Sequence, residues 1–358
     1  RLDFTRSAQA LDHHVRGMSP WPGAHSQLKS QLVKVHKSHV VSAPSKRGEP
    51  GEVVAVDKLE GIVVACGDTC PAGGKQCRRR QFFCDDRTPG ATRTRPVPVL
   101  LLLHGCGQDA ASFAESTRAA RLAQREGFAV LMPEQTQSAN AQRCWNWFRS
   151  EAQVATECLL LLSIVEHACL RWPLRRDRLY ALGLSAGGAM ALTLGLRHPE
   201  RFVAVGSHSG AVPASASNPL QAAATMQGRR LPDVKSLRLR LFGRRPPPMI
   251  VLHGDADRIV APACAQASAT LWLELLPAGT ALKSRGRELQ RGERLGMHVT
   301  DWQHADGDPY VRAVRVHELG HAWSGGAADQ AFSEPAGPDA LTLAWRFFDA
   351  AAEAHGRR

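Results

Sequence analysis

Five residues constrain this chain more than any others: Gly183-Leu184-Ser185-Ala186-Gly187, set between a strand pattern at 178–182 and a helical pattern at 188–197. A strand that turns at once into a helix brings two backbones close together, so the residues around the turn must be small. Gly183, Ala186, Gly187 and Gly188 meet that demand. The serine then projects from a strained turn at a helix N-terminus, where the dipole favours developing negative charge. Taken alone, the same residues also fit a glycine-rich turn without chemistry. Their partners decide between the two readings.

A serine nucleophile needs a base, and the base needs an orienting carboxylate. On a strand–turn–helix scaffold of this kind the chain order is Ser, Asp, His. The segment His253-Gly254-Asp255-Ala256-Asp257-Arg258-Ile259-Val260 follows an apolar strand at the expected place. Asp257 is the expected acid, with Asp255 as its competitor two residues earlier. His321, in Gly320-His321-Ala322-Trp323-Ser324-Gly325-Gly326, is the expected base, because a glycine-rich loop before the last helix can turn it towards Ser185. His317 is its rival, expected at a strand tip with its side chain fixed by the sheet. An oxyanion hole needs two backbone N–H donors. Ala186 supplies one, and Cys106 in His104-Gly105-Cys106-Gly107-Gln108 is expected to supply the other.

Around these motifs the pattern is strand, turn, helix, repeated. Strands are expected at 97–103, 128–132, 178–182, 202–207, 249–252 and 311–316, and helices at 119–125, 151–170, 188–197 and 340–354. Strands that are apolar throughout, alternating with helices, specify an α/β fold whose mostly parallel sheet is covered on both faces. Residues 1–70 differ. Strands at 32–35, 52–56 and 61–66 and a short helix at 7–16 describe a small β-rich segment. Residues 71–96, rich in Pro, Gly and Arg, read as a linker, and 97–358 as the catalytic domain. The first 95 residues hold 16 basic and 9 acidic side chains within a chain of net charge +12. That surplus fits an anionic partner such as RNA, or a solvated basic face.

The motifs at 104–108, Cys144-Trp145-Asn146-Trp147-Phe148, 183–188, 253–260 and 320–326 together resemble the polyhydroxybutyrate depolymerase family of esterases, over about residues 97–348. The resemblance implies an α/β-hydrolase fold and hydrolysis of short-chain hydroxyacyl or similar esters, without a cofactor. It also implies a disulfide between Cys106 and Cys144, and a substrate site lined by Trp147 and Trp323; each tryptophan also fits a packed core position. Members of that family enter the sheet through strands before residue 97, where this chain has its linker, so a sheet edge is expected to be missing. No further polymer-binding domain follows, which favours soluble esters over solid polymer. Arg1-Leu2-Asp3-Phe4-Thr5, Ser19-Pro20-Trp21-Pro22-Gly23-Ala24 and residues 51–67 resemble the C-terminal, OB-like region of methionyl-tRNA formyltransferase. That resemblance implies tRNA contact through basic residues, no formyl transfer, and a chain joined from two genes.

A different class of enzyme is suggested by His317-Glu318-Leu319-Gly320-His321. It matches the H-E-x-x-H zinc motif, which works only when one helix carries both histidines. The apolar residues 311–316 before it and the glycines after it oppose a helix, and no metal is expected. Cys66, Cys70, Cys77 and Cys84 lack a repeated zinc-ligand spacing, and nine cysteines do not make a disulfide framework. Residues 1–20 carry charges where an export signal would be apolar. No apolar run approaches the roughly 20 residues that span a bilayer, so no membrane partner is expected.

Overall fold

The computed structural model describes residues 96–356 and, before them, Leu11 and the backbone of five short strands. The chain forms two compact units, residues 1–79 and 80–358. In the first, β1 (Ala24–Leu28) and β2 (Gln31–Val35) form one antiparallel hairpin, and β3 (Val53–Asp57) and β4 (Gly61–Val64) another. Three of these strands overlap the expected ones; β1 was not legible. The helix expected at 7–16 lies outside the described residues except for Leu11, which is helical and buried.

The second unit opens with β5 (Phe82–Cys84) and β6 (Val97–Leu103). Residues 71–96 are therefore not linker throughout. Strand β5 pairs antiparallel with β7 (Ala129–Pro133), matching Phe83 to Met132, and supplies the sheet edge that was expected to be missing. Three residues are too few to show a strand's alternation. Between β6 and β7 lie α1 (Ala110–Thr117) and α2 (Ala119–Glu126). Asp109 caps α1 by accepting the Ser112 amide at 2.8 Å, and Gly127 ends α2 at φ +75°.

There follow α3 (Glu151–Arg171), β8 (Leu174–Gly183), α4 (Ala186–Arg197), β9 (Ala204–His208), α5 (Pro219–Met226), α6 (Val234–Leu241), β10 (Met249–Gly254) and α7 (Ala263–Glu274). The chain continues through β11 (Lys283–Leu289), β12 (Met297–Gln303), β13 (Pro309–Val316), the short β14 (Trp323–Ser324) and β15 (Ser333–Glu334), and α8 (Ala340–Gly356). Nine strands form one sheet in the order β11-β12-β13-β10-β9-β8-β6-β7-β5. The strands from β13 to β7 run parallel, while β11, β12 and β5 are antiparallel edges.

Strand β6 shows how the core divides. Val99, Leu101 and Leu103 point to one face, where Cys158 and Leu161 of α3, Met190 of α4 and Trp272 of α7 pack. Leu100 and Leu102 point to the other, against Phe113 of α1 and Trp345 and Phe348 of α8. Both faces are covered, so every position of the strand except Pro98 is buried and apolar. Helix α3 is long and apolar enough to cross a membrane by composition. Here Val154, Cys158, Leu161 and Val165 turn its buried face onto the sheet.

Candidate active site

The parallel strands end on one side of the sheet, and the loops that leave β6, β8, β10 and β13 there carry the expected site residues. This is the side where open α/β sheets place their sites. Ser185 links β8 to α4 in a backbone conformation, φ 55° and ψ −118°, that non-glycine residues rarely adopt. Such a residue costs about 1–3 kcal/mol and persists only when its surroundings hold it. Here they do: the Ser185 amide donates to the His208 carbonyl at 2.8 Å, and the Leu184 amide to the Leu103 carbonyl at 3.0 Å. A Cβ on Gly187 would lie 2.2 Å from the Leu103 carbonyl oxygen, so only glycine lets the elbow seat against β6.

Asp257 lies in the turn after β10 and is buried. Its Oδ1 accepts the amides of Ile259 and Val260, both at 2.9 Å. Its Oδ2 accepts His321 Nδ1 at 2.7 Å and lies 3.1 Å from His253 Nε2. Burial opposes the charge, but the hydrogen bonds from His253 and His321 and the Val260 amide hold this carboxyl far below the usual carboxylate range. A carboxylate can only accept, so Nδ1 of His321 carries its proton, and Nε2 is left to accept from the Ser185 hydroxyl at 3.0 Å. The structure thus brings Ser185, His321 and Asp257 into one hydrogen-bonded chain. The arrangement can take a proton from Ser185 onto an imidazole whose resulting positive charge faces a carboxylate.

The loop after β6 is tied down by several contacts. The Gly105 amide donates to Gln108 Oε1 at 2.8 Å, the Gly107 amide to the Gln142 carbonyl at 2.8 Å, and Trp145 Nε1 to the His104 carbonyl at 3.0 Å. Cys106 is disulfide-bonded to Cys144, with their Cα atoms 4.3 Å apart. Among the described residues, no hydrogen bond occupies the amide of Cys106 or that of Ala186. Ala186 adjoins Ser185 in the chain, and two such free donors are what an oxyanion requires. Breaking the tether by Cys144→Ser should lower kcat about ten- to a hundredfold, the scale of a displaced donor. KM should change little. A variant with unaltered kcat would show that the loop holds itself without the disulfide.

Two histidines to which the sequence assigned no role support the site. His253, buried on β10, directs Nε2 at both Asp257 and the Val260 carbonyl, the latter at 3.0 Å. His208, fully buried at the end of β9, accepts the Ser324 amide on Nε2 at 3.1 Å, while its own carbonyl holds Ser185. Burial pushes the His208 pKa down to about 3, so the ring stays neutral and joins the histidine loop to the elbow. A buried histidine on an apolar strand carries no sequence mark that separates it from core.

Trp323 is 1 % exposed; it stacks on His208 and meets Phe113 edge-on, beneath the site. Trp147 is buried too, but it borders a cavity of about 500 Å³ together with Val154, Arg197, Ser215 and Arg240. His317 and His321 lie on an irregular loop, not a helix, and face different partners, so the H-E-x-x-H spacing is not realised as a helical pair. Of the four early cysteines, Cys66, Cys70 and Cys77 lie outside the described residues, and Cys84 ends β5.

Comparison with known proteins gives the family. The sequence profile described as Esterase PHB depolymerase matches residues 84–291, more than half the chain. The chain belongs to that family. It is a carboxylic ester hydrolase of α/β-hydrolase fold. Feruloyl esterase B of Neurospora crassa is 28 % identical over 205 residues, which are 52 % of this chain and 68 % of that protein. An acetyl xylan esterase from Aspergillus awamori shares the fold at TM-score 0.57 and 15 % identity, over 75 % of this chain and 93 % of that one. The esterase carries a second match in front: the formyl transferase C-terminal domain profile covers residues 1–83. Methionyl-tRNA formyltransferase of Bacillus subtilis is 39 % identical over 89 residues, 23 % of this chain and 27 % of that protein. The chain thus spans only about a quarter of that relative's length.

Proposed function

We propose that this esterase hydrolyses short-chain acyl and hydroxyacyl esters through an acyl-enzyme formed on Ser185. The observation that carries the reading is the hydrogen-bonded chain from Ser185 through His321 to Asp257; the amides of Cys106 and Ala186, which no hydrogen bond occupies, are the donors it would use. In the first half-reaction, Ser185 Oγ attacks the ester carbonyl as its proton passes to His321 Nε2. The two amides donate to the carbonyl oxygen as it gains negative charge. His321 then returns the proton to the leaving alkoxide, and the alcohol departs. In the second half, His321 takes a proton from water, hydroxide adds to the acyl-enzyme, and Ser185 leaves reprotonated with the free acid.

The cavity that Trp147 borders is lined by none of Ser185, Asp257 and His321, so it gives Trp147 no claim to the acyl group, and Trp323 packs against His208. The names of the relatives suggest two acyl classes, hydroxyalkanoate and feruloyl. A panel of p-nitrophenyl esters from acetate to octanoate, with 3-hydroxybutyrate oligomers and methyl ferulate, separates them. We expect the highest kcat/KM on acetate to butyrate and on the short oligomers. Preference for octanoate or for ferulate by more than about tenfold would overturn the short hydroxyacyl reading and leave the esterase intact.

The match at residues 1–83 supports a second reading, tRNA contact by the basic front segment. Such binding should weaken steeply as salt rises, and ester hydrolysis should proceed unchanged without tRNA.

A further inference from the structure

The two residues that compete with Asp257 and His321 in the sequence, Asp255 and His317, also meet in space. Asp255 Oδ2 lies 3.0 Å from His317 Nδ1, and Asp255 Oδ1 accepts the Glu318 amide at 2.7 Å. This pair therefore repeats the pairing of Asp257 with His321, two residues earlier on one loop and four earlier on the other.

What the pair grips is the turn that delivers His321. Glu318 sits at φ +59°, a left-handed conformation in which a Cβ crowds the following carbonyl oxygen. The same turn is laid against the Asp257 loop by backbone bonds from Asp255 to Val316 at 3.0 Å and from Ala256 to Leu319 at 3.1 Å. The approach is so close that a Cβ on Gly254 would fall 2.0 Å from the Leu319 carbonyl oxygen. A small shift of this turn moves His321 directly, because only Leu319 and Gly320 lie between.

We infer that Asp255 and His317 are positioning residues, which clamp the strained turn at Glu318 to the Asp257 loop and so set His321 between Asp257 and Ser185. The inference rests on His321 serving as the base. The clamp continues outward: His317 Nε2 lies 3.1 Å from Glu288 on β11, and the other oxygen of Glu288 lies 2.6 Å from His298 Nδ1 on β12. The His317 amide donates to the Gly296 carbonyl at 2.9 Å, and Arg315 stands opposite His298 in the ladder.

With a carboxylate at each ring nitrogen, His317 can donate at both only as the imidazolium. Its pKa is raised accordingly, by Glu288 and then Asp255. The doubly donating clamp is therefore present while His317 is protonated and is lost as pH rises through that raised pKa. His317 is more than a third exposed, so solvent screens the ionic part, and the expected effect is modest.

The test compares Asp255→Ala, Asp255→Asn, His317→Gln and His321→Ala on a p-nitrophenyl ester from about pH 6, just below the ordinary histidine value, up to about pH 9.5. Thermal unfolding establishes that each variant is folded. Asp255→Ala should lose about ten- to a hundredfold in kcat with KM within about twofold. Asp255→Asn keeps an acceptor for the Glu318 amide and should lose less. His317→Gln should lose about two- to fivefold near pH 7 and lack the alkaline decline of the parent. Asp255→Ala with kcat within about twofold of the parent, or superimposable pH profiles for His317→Gln and the parent, would overturn the clamp. An active His321→Ala would instead overturn the assignment of the base.

Discussion

Ser185→Ala should lower kcat/KM on a short-chain ester by at least about a thousandfold, without loss of fold. The substitution removes the attacking oxygen but leaves the elbow's contacts, since these are made by the Ser185 amide and carbonyl and not by its hydroxyl. It also leaves His321 and Asp257 paired at 2.7 Å. Members of such a unit do not contribute additively, so removing the nucleophile alone costs about as much as removing several members. What survives would come from binding and the amides of Cys106 and Ala186. The check is a progress curve at high enzyme concentration, alongside circular dichroism. More than a tenth of the parent activity would exclude Ser185 as nucleophile.

His321→Ala should be nearly as damaging, and the contrast with His317→Ala makes the result specific. Without His321 the Ser185 proton has no acceptor at 3.0 Å, and a buried carboxylate loses one of the two histidines that its Oδ2 faces, keeping only His253. A loss of about a thousandfold or more is expected. His317→Ala removes a partly exposed imidazole from Asp255 and Glu288 and should cost less than about tenfold. Activity per folded molecule is the quantity to compare. A dead His317→Ala beside a working His321→Ala would reverse the assignment.

The elbow was legible because its chemistry demands local sequence: small residues around a serine, an apolar strand before and a helix after. The strands at the sheet centre were legible for a related reason. Buried on both faces, β6, β10 and the second half of β8 read as apolar runs, whereas Arg175, Arg176 and Asp177 hid the first half of β8. The β11–β12 hairpin was not legible, because β11 is exposed along nearly its whole length and offers neither an apolar run nor clean alternation. Helices α5 and α6 were missed as well. Each has only a weak amphipathic pattern, unlike the equally short α2, and α1 and the twelve-residue α7 escaped for the same reason.

Within the site, the limit was contact between distant segments. The sequence ranked Asp257 above Asp255 and His321 above His317, but it gave the two lesser residues no partners. The pairing of Asp255 with His317 emerges only when β10 and β13 lie side by side and the two loops meet. His208 and His253 show the same limit from the other direction. Each is a lone histidine at the end of an apolar strand, which the sequence cannot distinguish from core. Trp323 was open to two readings, substrate contact or packing, and it lies packed against His208.

The most direct test of the account is the mass of the protein after treatment with a p-nitrophenyl phosphonate ester. A phosphonate is attacked like an ester carbonyl but leaves a stable adduct on the nucleophile. The account predicts one adduct per molecule, located to Ser185 by peptide mapping, formed in step with the loss of esterase activity and absent from Ser185→Ala. Chelator should change neither labelling nor hydrolysis. Complete inhibition with Ser185 unmodified, or activity lost to chelator and restored by zinc, would contradict it.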